Sequence, residues 1–124
     1  PAVRWVRKSD GFVMVNRKEA KRDIVSYGYI PIRAVDMLNR LGEHARSDSL
    51  LASVTCPVLM FHSTGDEAAS FDAAQEAFEK LGPEDKQFVR LDRSNHHIFF
   101  DYERETVMDV TVRFLNERMT PVEE

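Results

Sequence analysis

The sequence predicts an α/β fold in which parallel strands are joined by crossover helices. Two short segments rich in apolar residues, at positions 57–61 and 87–91, are typical of buried strands. Between them, residues 71–81 repeat apolar side chains at helical spacing. A crossover of this length makes the two strands parallel, with a right-handed connection. A further helical pattern follows the second strand.

The first thirty residues have weak hydrophobic periodicity. Short strands are predicted at 3–6 and 12–15, on either side of a turn at 9–11, and a short helix is predicted at 18–26. Pro31 suits the first position of a longer helix, which Gly42 is expected to weaken or end. The apolar stripe of that helix consists of Ile32, Val35, Leu38 and Leu41.

The remaining elements follow from residue 57 in order. The strand at 57–61 is opened by a proline, is unbroken in its apolar character and is predicted to be buried on both faces. Ser70 can cap the helix at 71–81, which Gly82 is expected to stop. Asp101 can cap a final helix at 102–118. The apolar stripe of that final helix consists of Val107, Val110, Phe114 and Leu115.

Composition limits the class of partner and the location. The chain has 124 residues and is 43% hydrophobic and 31% charged, as globular domains are. Its formal net charge of −4 argues against nucleic acid or an anionic membrane surface as a partner. No apolar run is long enough for a membrane span, and no leader is visible behind Pro1. With a single cysteine, Cys56, we expect a cytoplasmic protein.

An acid and a histidine follow the two predicted strands. Asp66 lies in the loop after the first strand, and His96 and His97 lie in the loop after the second. Both loops are expected at the carboxyl edge of the sheet, where open α/β sheets bind ligands. A serine nucleophile needs a histidine base held by a carboxylate, and the order acid then histidine suits that chemistry. Glu67 and Asp92 are the alternative acids.

Two motifs carry a resemblance to a known family. Residues 56–67, with the sequence CPVLMFHSTGDE, and residues 94–101, with the sequence SNHHIFFD, resemble the acid-bearing strand and histidine loop of carboxylesterases and monoacylglycerol lipases of the α/β-hydrolase superfamily. Residues 29–31 and 114–115 are also similar, so the resemblance covers about residues 27–118. It implies that Asp66 is the triad acid and His96 the general base. It also implies a cap-region remnant at 1–30 and the C-terminal part of the hydrolase core at 31–124.

Two positions depart from the pattern of that family. Ala68 and Ala69 replace a bulkier aliphatic pair after the acid, and Asn95 stands where glycine is commoner before the histidine. More important, the Gly-x-Ser-x-Gly nucleophile motif is missing, because no two of the five glycines are four residues apart. We therefore expect an incomplete sheet, in a chain that is either a fragment or half of an assembly. The partner would be the N-terminal half of the hydrolase or a second copy of the chain.

The resemblance predicts a serine hydrolase that cleaves small carboxylic esters through an acyl-enzyme, with Asp66 and His96 supplied by this chain. A non-catalytic interaction or assembly module is the alternative, since fold alone does not confer function. Thioester, lactone or amide hydrolysis are further alternatives.

The remaining histidines, the cysteine and two phenylalanines are predicted to have structural rather than catalytic roles. The histidines show no metal-ligand spacing, so we expect no metal and no cofactor. His62 is expected to be buried and hydrogen-bonded, and His44 to be exposed. Cys56 is predicted to be a small core residue, too far from Asp66 to act as its nucleophile. Phe99 and Phe100 are predicted to pack under the last helix, with an acyl pocket as the alternative.

Overall fold

The computed structural model describes residues 4–8 and 12–119 and has the predicted α/β fold. Its strands are β1 (Trp5–Arg7), β2 (Tyr29–Pro31), β3 (Val58–Ser63) and β4 (Lys86–Leu91). Its α-helices are α1 (Ile32–Ala45), α2 (Asp48–Ala52), α3 (Phe71–Glu79) and α4 (Arg104–Asn116). The segments Lys18–Asp23 and Ile98–Phe100 form 3-10 helices.

The strands β3 and β4 pair in parallel, as the crossover predicts. Val58 lies beside Lys86 and Ser63 lies beside Leu91, so the two strands run in register and end together. The loop that follows β3 and the loop that follows β4 therefore leave the sheet at the same edge. The backbone N–H of Thr64 donates to the carbonyl of Leu91 (2.9 Å), which extends the contact into the first loop.

Helix α3 covers one face of this pair. The Ser70 side chain accepts a hydrogen bond from the Ala73 N–H, so Ser70 caps the helix as predicted. The rings of Phe71 and Phe78 both pack edge-on against Phe88 of β4, with centroids 5.7 and 5.3 Å away. The predicted apolar stripe therefore faces the sheet, and aromatic pairs of this kind stabilise the packing.

The end of α3 differs from the prediction. The helix stops at Glu79, before Gly82, and the Lys86 ammonium donates to three carbonyls there, those of Phe78, Glu79 and Leu81, at 2.6–3.1 Å. A lysine at a helix C-terminus satisfies carbonyls that the helix itself leaves free. Gly82 has a different function. Its N–H donates to Leu51, and a Cβ at this position would lie 2.7 Å from the Val54 carbonyl oxygen.

The N-terminal region departs most from expectation. Strand β1 pairs antiparallel with β2, and the strand predicted at 12–15 does not form, because none of these four residues is in a strand. The turn predicted at 9–11 lies outside the described residues. The helix predicted at 18–26 is the shorter 3-10 helix Lys18–Asp23.

Helix α1 is longer than predicted and begins one residue later. Pro31 ends β2 and caps α1 instead of occupying its first turn, and Gly42 is accommodated within the helix, which continues to Ala45. The polar segment that follows forms α2, which the sequence pattern does not predict.

Burial is highest where the N-terminal segment, the end of β4 and α4 contribute side chains. The buried apolar residues of the described ranges are Val15, Ala20, Leu91, Val107 and Phe114. Three expectations of burial are wrong: β3 is only half-buried, Cys56 is exposed, and Phe99 and Phe100 are largely exposed. Within the described ranges β3 pairs only with β4, so its other edge is open to solvent. No helix of the described residues is long and apolar enough to cross a membrane.

Candidate active site

Asp66 lies in the loop after β3, residues 64–69, which we call the acid loop. Its Oδ1 accepts hydrogen bonds from the backbone N–H groups of Ala68 (2.8 Å) and Ala69 (2.9 Å). The small side chains at 68 and 69 stand at the turn that brings these two amides onto one oxygen. This arrangement fixes the carboxylate from behind and leaves Oδ2 for another partner.

That partner is His96, in the loop after β4, residues 92–97, which we call the histidine loop. The His96 Nδ1 lies 3.0 Å from the Asp66 Oδ2. The carboxylate is nearly buried, with 7% of its side chain exposed, whereas 44% of the imidazole is exposed. The pair thus consists of a shielded acid and a histidine whose ring reaches the surface.

The protonation state of Asp66 fixes the tautomer of His96. Burial raises the pKa of Asp66, but the hydrogen bonds from His96, Ala69 and Ala68 outweigh burial, and the net pKa lies below the ordinary aspartate value. At neutral pH the group is therefore an ionised carboxylate, which can only accept hydrogen bonds. Nδ1 of His96 must carry the proton that it shares with Asp66, and Nε2 is left to exchange protons with a substrate or nucleophile.

The alternative acids are engaged elsewhere. The Glu67 carboxylate accepts a hydrogen bond from the Asn95 amide (3.2 Å). Asp92 accepts from the Arg90 side chain (2.7 Å) and from the Thr64 hydroxyl (3.2 Å). Of the three predicted candidate acids, Asp66 is the one that the structure brings to His96.

In the described structure His97 forms no hydrogen bond or ion pair with Asp66, although its ring is close to that of His96. The two ring centroids are 5.3 Å apart and the planes are inclined by 67°. The His97 backbone N–H donates to the Met14 carbonyl (3.1 Å), which ties the histidine loop to the N-terminal segment. Its Nε2 is buried, and the described residues offer it no hydrogen-bond partner.

The remaining histidines and cysteine lie outside this pair. The His62 Nδ1 donates to the Ser63 carbonyl (3.0 Å), and the His62 Nε2 is 3.9 Å from the Asp66 Oδ2, beyond hydrogen-bonding range. His44 is exposed on α1. Over residues 4–8 and 12–119, no group of three or more histidine, cysteine or acidic side chains is placed to hold a metal ion. A cavity of about 420 Å³ is lined by His62, by Ala68 and Ala69 of the acid loop, by Arg46 and Met60, and by residues of α3 and its N-cap, and neither Asp66 nor His96 contributes to it.

Asp101 does not have the role of helix cap that its sequence position predicts. The helix α4 begins at Arg104 with Glu103 at its N-cap, so Asp101 does not cap it. Its fully buried carboxylate accepts four backbone N–H groups, those of Asn16 (2.7 Å), Arg17 (2.9 Å), Asn95 (2.8 Å) and Tyr102 (2.9 Å). Burial raises the pKa of Asp101, but these four hydrogen bonds outweigh burial, and the net pKa is lowered.

Glu103 supports the same loop from its other end, and the sequence pattern did not single it out. Its carboxylate accepts the N–H groups of Asp92 (3.1 Å) and Arg93 (2.8 Å) and the Ser94 hydroxyl (2.8 Å). Burial raises the pKa of Glu103, but the hydrogen bonds outweigh burial and the net pKa is lowered. Its position could have indicated this role. Glu103 is a second acid shortly after the histidine motif, and the backbone N–H groups of a loop need hydrogen-bond acceptors.

Comparisons with known proteins agree with this architecture. The family model described as "Serine aminopeptidase, S33" matches residues 14–103. A solved structure from work on LipS and LipT, two metagenome-derived lipolytic enzymes, is similar with a TM-score of 0.70 at 23% identity. A monoacylglycerol lipase from Paleococcus ferrophilus gives 0.68 at 17% identity. A soluble variant of monoglyceride lipase from Saccharomyces cerevisiae, in complex with a substrate analog, gives 0.77 at 14% identity.

The matches cover most of this chain but less than half of each relative. They include 76%, 92% and 94% of this chain, in the order given, and 38%, 46% and 44% of the three solved chains. At these identities the similarity is one of fold, and the chain spans less than half the length of each structure that it resembles.

Proposed function

This chain belongs to the serine aminopeptidase S33 family of α/β-hydrolases, and on that premise we propose that it supplies the acid and the base of a serine hydrolase active site. In this proposal Asp66 is the triad acid and His96 the general base. The substrate is a small carboxylic ester, cleaved through an acyl-enzyme. The complete gene product, rather than residues 1–124 alone, is the proposed catalyst.

One observation carries the proposal, the 3.0 Å contact between the His96 Nδ1 and the Asp66 Oδ2. With Nδ1 protonated and bound to the acid, Nε2 takes the proton of the serine hydroxyl as that oxygen attacks the ester carbonyl. The carboxylate then stabilises the imidazolium, which returns the proton to the departing alcohol. Water deacylates the serine by the same proton route in reverse.

The nucleophile is proposed to lie outside these residues. The serines nearest to the pair have structural partners: Ser63 donates to the Ser94 carbonyl, Ser94 donates to Glu103, and Ser70 caps α3. A serine nucleophile instead needs the exposed, sharply turned position of the Gly-x-Ser-x-Gly motif, and the sequence contains no such motif.

The first thirty residues are proposed to be part of a cap region, and residues 31–124 the C-terminal part of the core. Hydrogen bonds join these parts: Asn16 and Arg17 donate to the Asp101 carboxylate, and the Met14 carbonyl accepts the N–H of His97. Such contacts would hold a cap segment against the histidine loop.

A second candidate reaction is amide hydrolysis, because the matching family model is described as an aminopeptidase. The lipolytic names of the three solved structures favour esters. A panel of substrates with one acyl group presented as ester, thioester, lactone and amide would separate these reactions by kcat/KM. A faster amide than ester would replace the ester proposal while retaining the triad.

A fluorophosphonate probe applied to the complete gene product tests the proposal. Such probes label only a serine that a working base has activated, so labelling is expected in the parent and lost in His96→Ala. His97→Ala is the matched control, because its neighbouring ring does not contact the acid, and it should retain most of the labelling rate. A parent that stays unlabelled would support the alternative, a non-catalytic interaction or assembly module. Loss in His97→Ala but not in His96→Ala would reassign the base.

A further inference from the structure

The acid loop and the histidine loop lie against each other at three successive positions. The Ser63 hydroxyl donates to the Ser94 carbonyl, and a Cβ on Gly65 would lie 3.2 Å from the same oxygen. Glu67 contacts Asn95, and Asp66 contacts His96. The middle contact is made by the Asn95 side chain.

Asn95 is buried, with 5% of the residue exposed, and its amide is fully hydrogen-bonded. Its Oδ1 accepts the backbone N–H of Glu67 (3.2 Å) and that of His96 (2.8 Å). Its Nδ2 donates to the Glu67 carboxylate (3.2 Å) and to the Asn16 side chain (3.3 Å). Its own backbone N–H donates to Asp101. A buried amide whose donors and acceptor are all hydrogen-bonded restrains the positions of the groups that it binds.

We propose that Asn95 is a positioning residue that sets the distance between Asp66 and His96. A single oxygen, Oδ1, holds the backbone of the residue after the acid and the backbone of the base itself. Displacement of either loop breaks one of these two bonds and leaves a buried polar group unsatisfied, which is costly. The catalytic consequence rests on the proposed function, whereas the geometric one does not.

The consequence for turnover follows from the geometry of proton transfer. A base that is misplaced by about 1 Å can lose about 10²-fold in rate, while ground-state binding of the substrate changes little. Removal of the Asn95 side chain should therefore lower kcat more than it alters KM. A general loss of fold would instead lower the amount of active enzyme and the melting temperature together.

An exchange of charge between two positions gives a sharp test in the complete gene product. Asn95→Asp retains an oxygen for the two backbone N–H groups but places a second carboxylate against Glu67. Glu67→Gln removes that charge and, alone, can still accept the Asn95 amide. The double variant restores the pair with donor and acceptor exchanged, and leaves only the 3.3 Å contact to Asn16 unrestored.

We expect kcat to fall by about 10- to 100-fold in Asn95→Ala and in Asn95→Asp. Glu67→Gln should stay close to the parent, and the double variant should recover most of the loss in Asn95→Asp. The accompanying structural measurement is the NMR signal of the His96 Nδ1–H proton, which its hydrogen bond to Asp66 shifts downfield and protects from exchange. This signal should weaken in the two single Asn95 variants and return in the double variant.

Parental kcat and a parental Nδ1–H signal in Asn95→Ala would overturn the proposal. Failure of the double variant to recover relative to Asn95→Asp would also overturn it, even if Asn95→Ala does not fold. A parent that resists fluorophosphonate but loses the Nδ1–H signal in Asn95→Ala would refute the hydrolase proposal and support the positioning role of Asn95.

Discussion

At the scale of single residues, ionised carboxylates shape the site by accepting backbone N–H groups. Asp66 holds the acid loop through Ala68 and Ala69, and Asp101 and Glu103 hold the two ends of the histidine loop. Charged acceptors form the stronger hydrogen bonds of proteins, and each carboxylate here receives at least three. His96 is thus held in place by Asp66, which contacts its ring, and by Asp101 and Glu103, which bind the backbone of its loop.

Asp66→Asn should abolish most turnover of the complete gene product without unfolding it. The amide has nearly the same shape as the carboxylate but can present its NH₂ group to Nδ1, which then favours the wrong imidazole tautomer. In a serine triad this change lowers kcat by up to about 10⁴-fold. The measurement is steady-state ester hydrolysis, with circular dichroism as the folding control. Near-parental turnover would move the acid to another carboxylate, with Glu67 and Asp92 the next to be substituted.

Because of Asp101, the free energy of unfolding should decrease at acid pH. The pKa of Asp101 is lowered in the folded protein. Its contribution to the free energy of unfolding is therefore fully present above the ordinary aspartate pKa, about 3.9, and is lost as the pH falls from there through the pKa of the folded protein. Asp101→Asn keeps one acceptor oxygen and places donors against backbone N–H groups, so it should cost about 2–4 kcal/mol of unfolding free energy at pH 7.

Urea unfolding of the parent and of Asp101→Asn at pH 7 and pH 3 checks this expectation. The difference between the two proteins should shrink at pH 3, which lies below the ordinary aspartate pKa, because the unfolded parent binds a proton at Asp101 that the folded state resists. An equal difference at both values would mean that the charge of Asp101 does not contribute to the effect.

The placement of Asp66 beside His96 could be predicted because it follows from a local rule. Asp66 and His96 each follow a strand of a parallel pair, and parallel strands end at a common edge. The roles of Asn95 and Asp101 could not be predicted in this way. Their distant partners, at positions 16, 17 and 67, come from two other segments whose approach depends on the whole fold.

At the scale of elements, Gly82 joins α2 to the connection between α3 and β4 by close backbone contact. Gly82→Ala should destabilise the protein by about 1–3 kcal/mol, because the new Cβ would overlap backbone carbonyls that cannot rotate away. The matched control is Gly42→Ala in α1, where a Cβ meets nothing within 4 Å. Helix propensity should make that variant as stable as the parent or up to about 1 kcal/mol more stable.

Thermal unfolding of the two variants side by side gives the answer. A Gly82→Ala protein that unfolds at the parental temperature would contradict this prediction, because it would mean that the backbone at the end of α2 can move away from the new Cβ without loss of stability.

The elements that the sequence predicts correctly are those with strong local signals. Strand β3, helix α3 and strand β4 have apolar patterns and a serine cap that act over a few residues. The prediction for the N-terminal region was wrong because β1 pairs with β2 rather than with the nearer segment at 12–15. The sequence pattern also does not predict the lysine cap of α3, because the Lys86 side chain reaches back to the carbonyls of Phe78, Glu79 and Leu81.

At the scale of the whole molecule, apolar surface and an open strand edge remain exposed. Helix α1 exposes Leu38 (64%) and Leu41 (61%), and α4 exposes Met108 (52%) and Val112 (53%). Among the described elements β3 has one paired edge and one free edge. Free edges and contiguous apolar faces favour association with another chain.

We therefore predict that residues 1–124, expressed alone, neither hydrolyse esters nor behave as a stable monomer. The missing N-terminal half of the hydrolase, or a second copy of the chain, is the proposed partner. Size-exclusion chromatography with light scattering measures the assembly, and an ester assay on the same fractions measures the activity. A well-folded monomer would refute the prediction on association, and ester turnover by this chain alone would refute the prediction on activity.

The bonds from Asn16 and Arg17 to Asp101 have a consequence for the order of folding. They join positions 85 and 84 residues apart, whereas β3 and β4 meet across about thirty residues. Closure of the longer loop carries the larger entropic cost, and long-range contacts slow folding. During synthesis residues 16–17 leave the ribosome first, and their bonds to Asp101 can form only after residue 101 has also left it. The parallel pair can therefore form early, and the backbone that presents His96 is completed last.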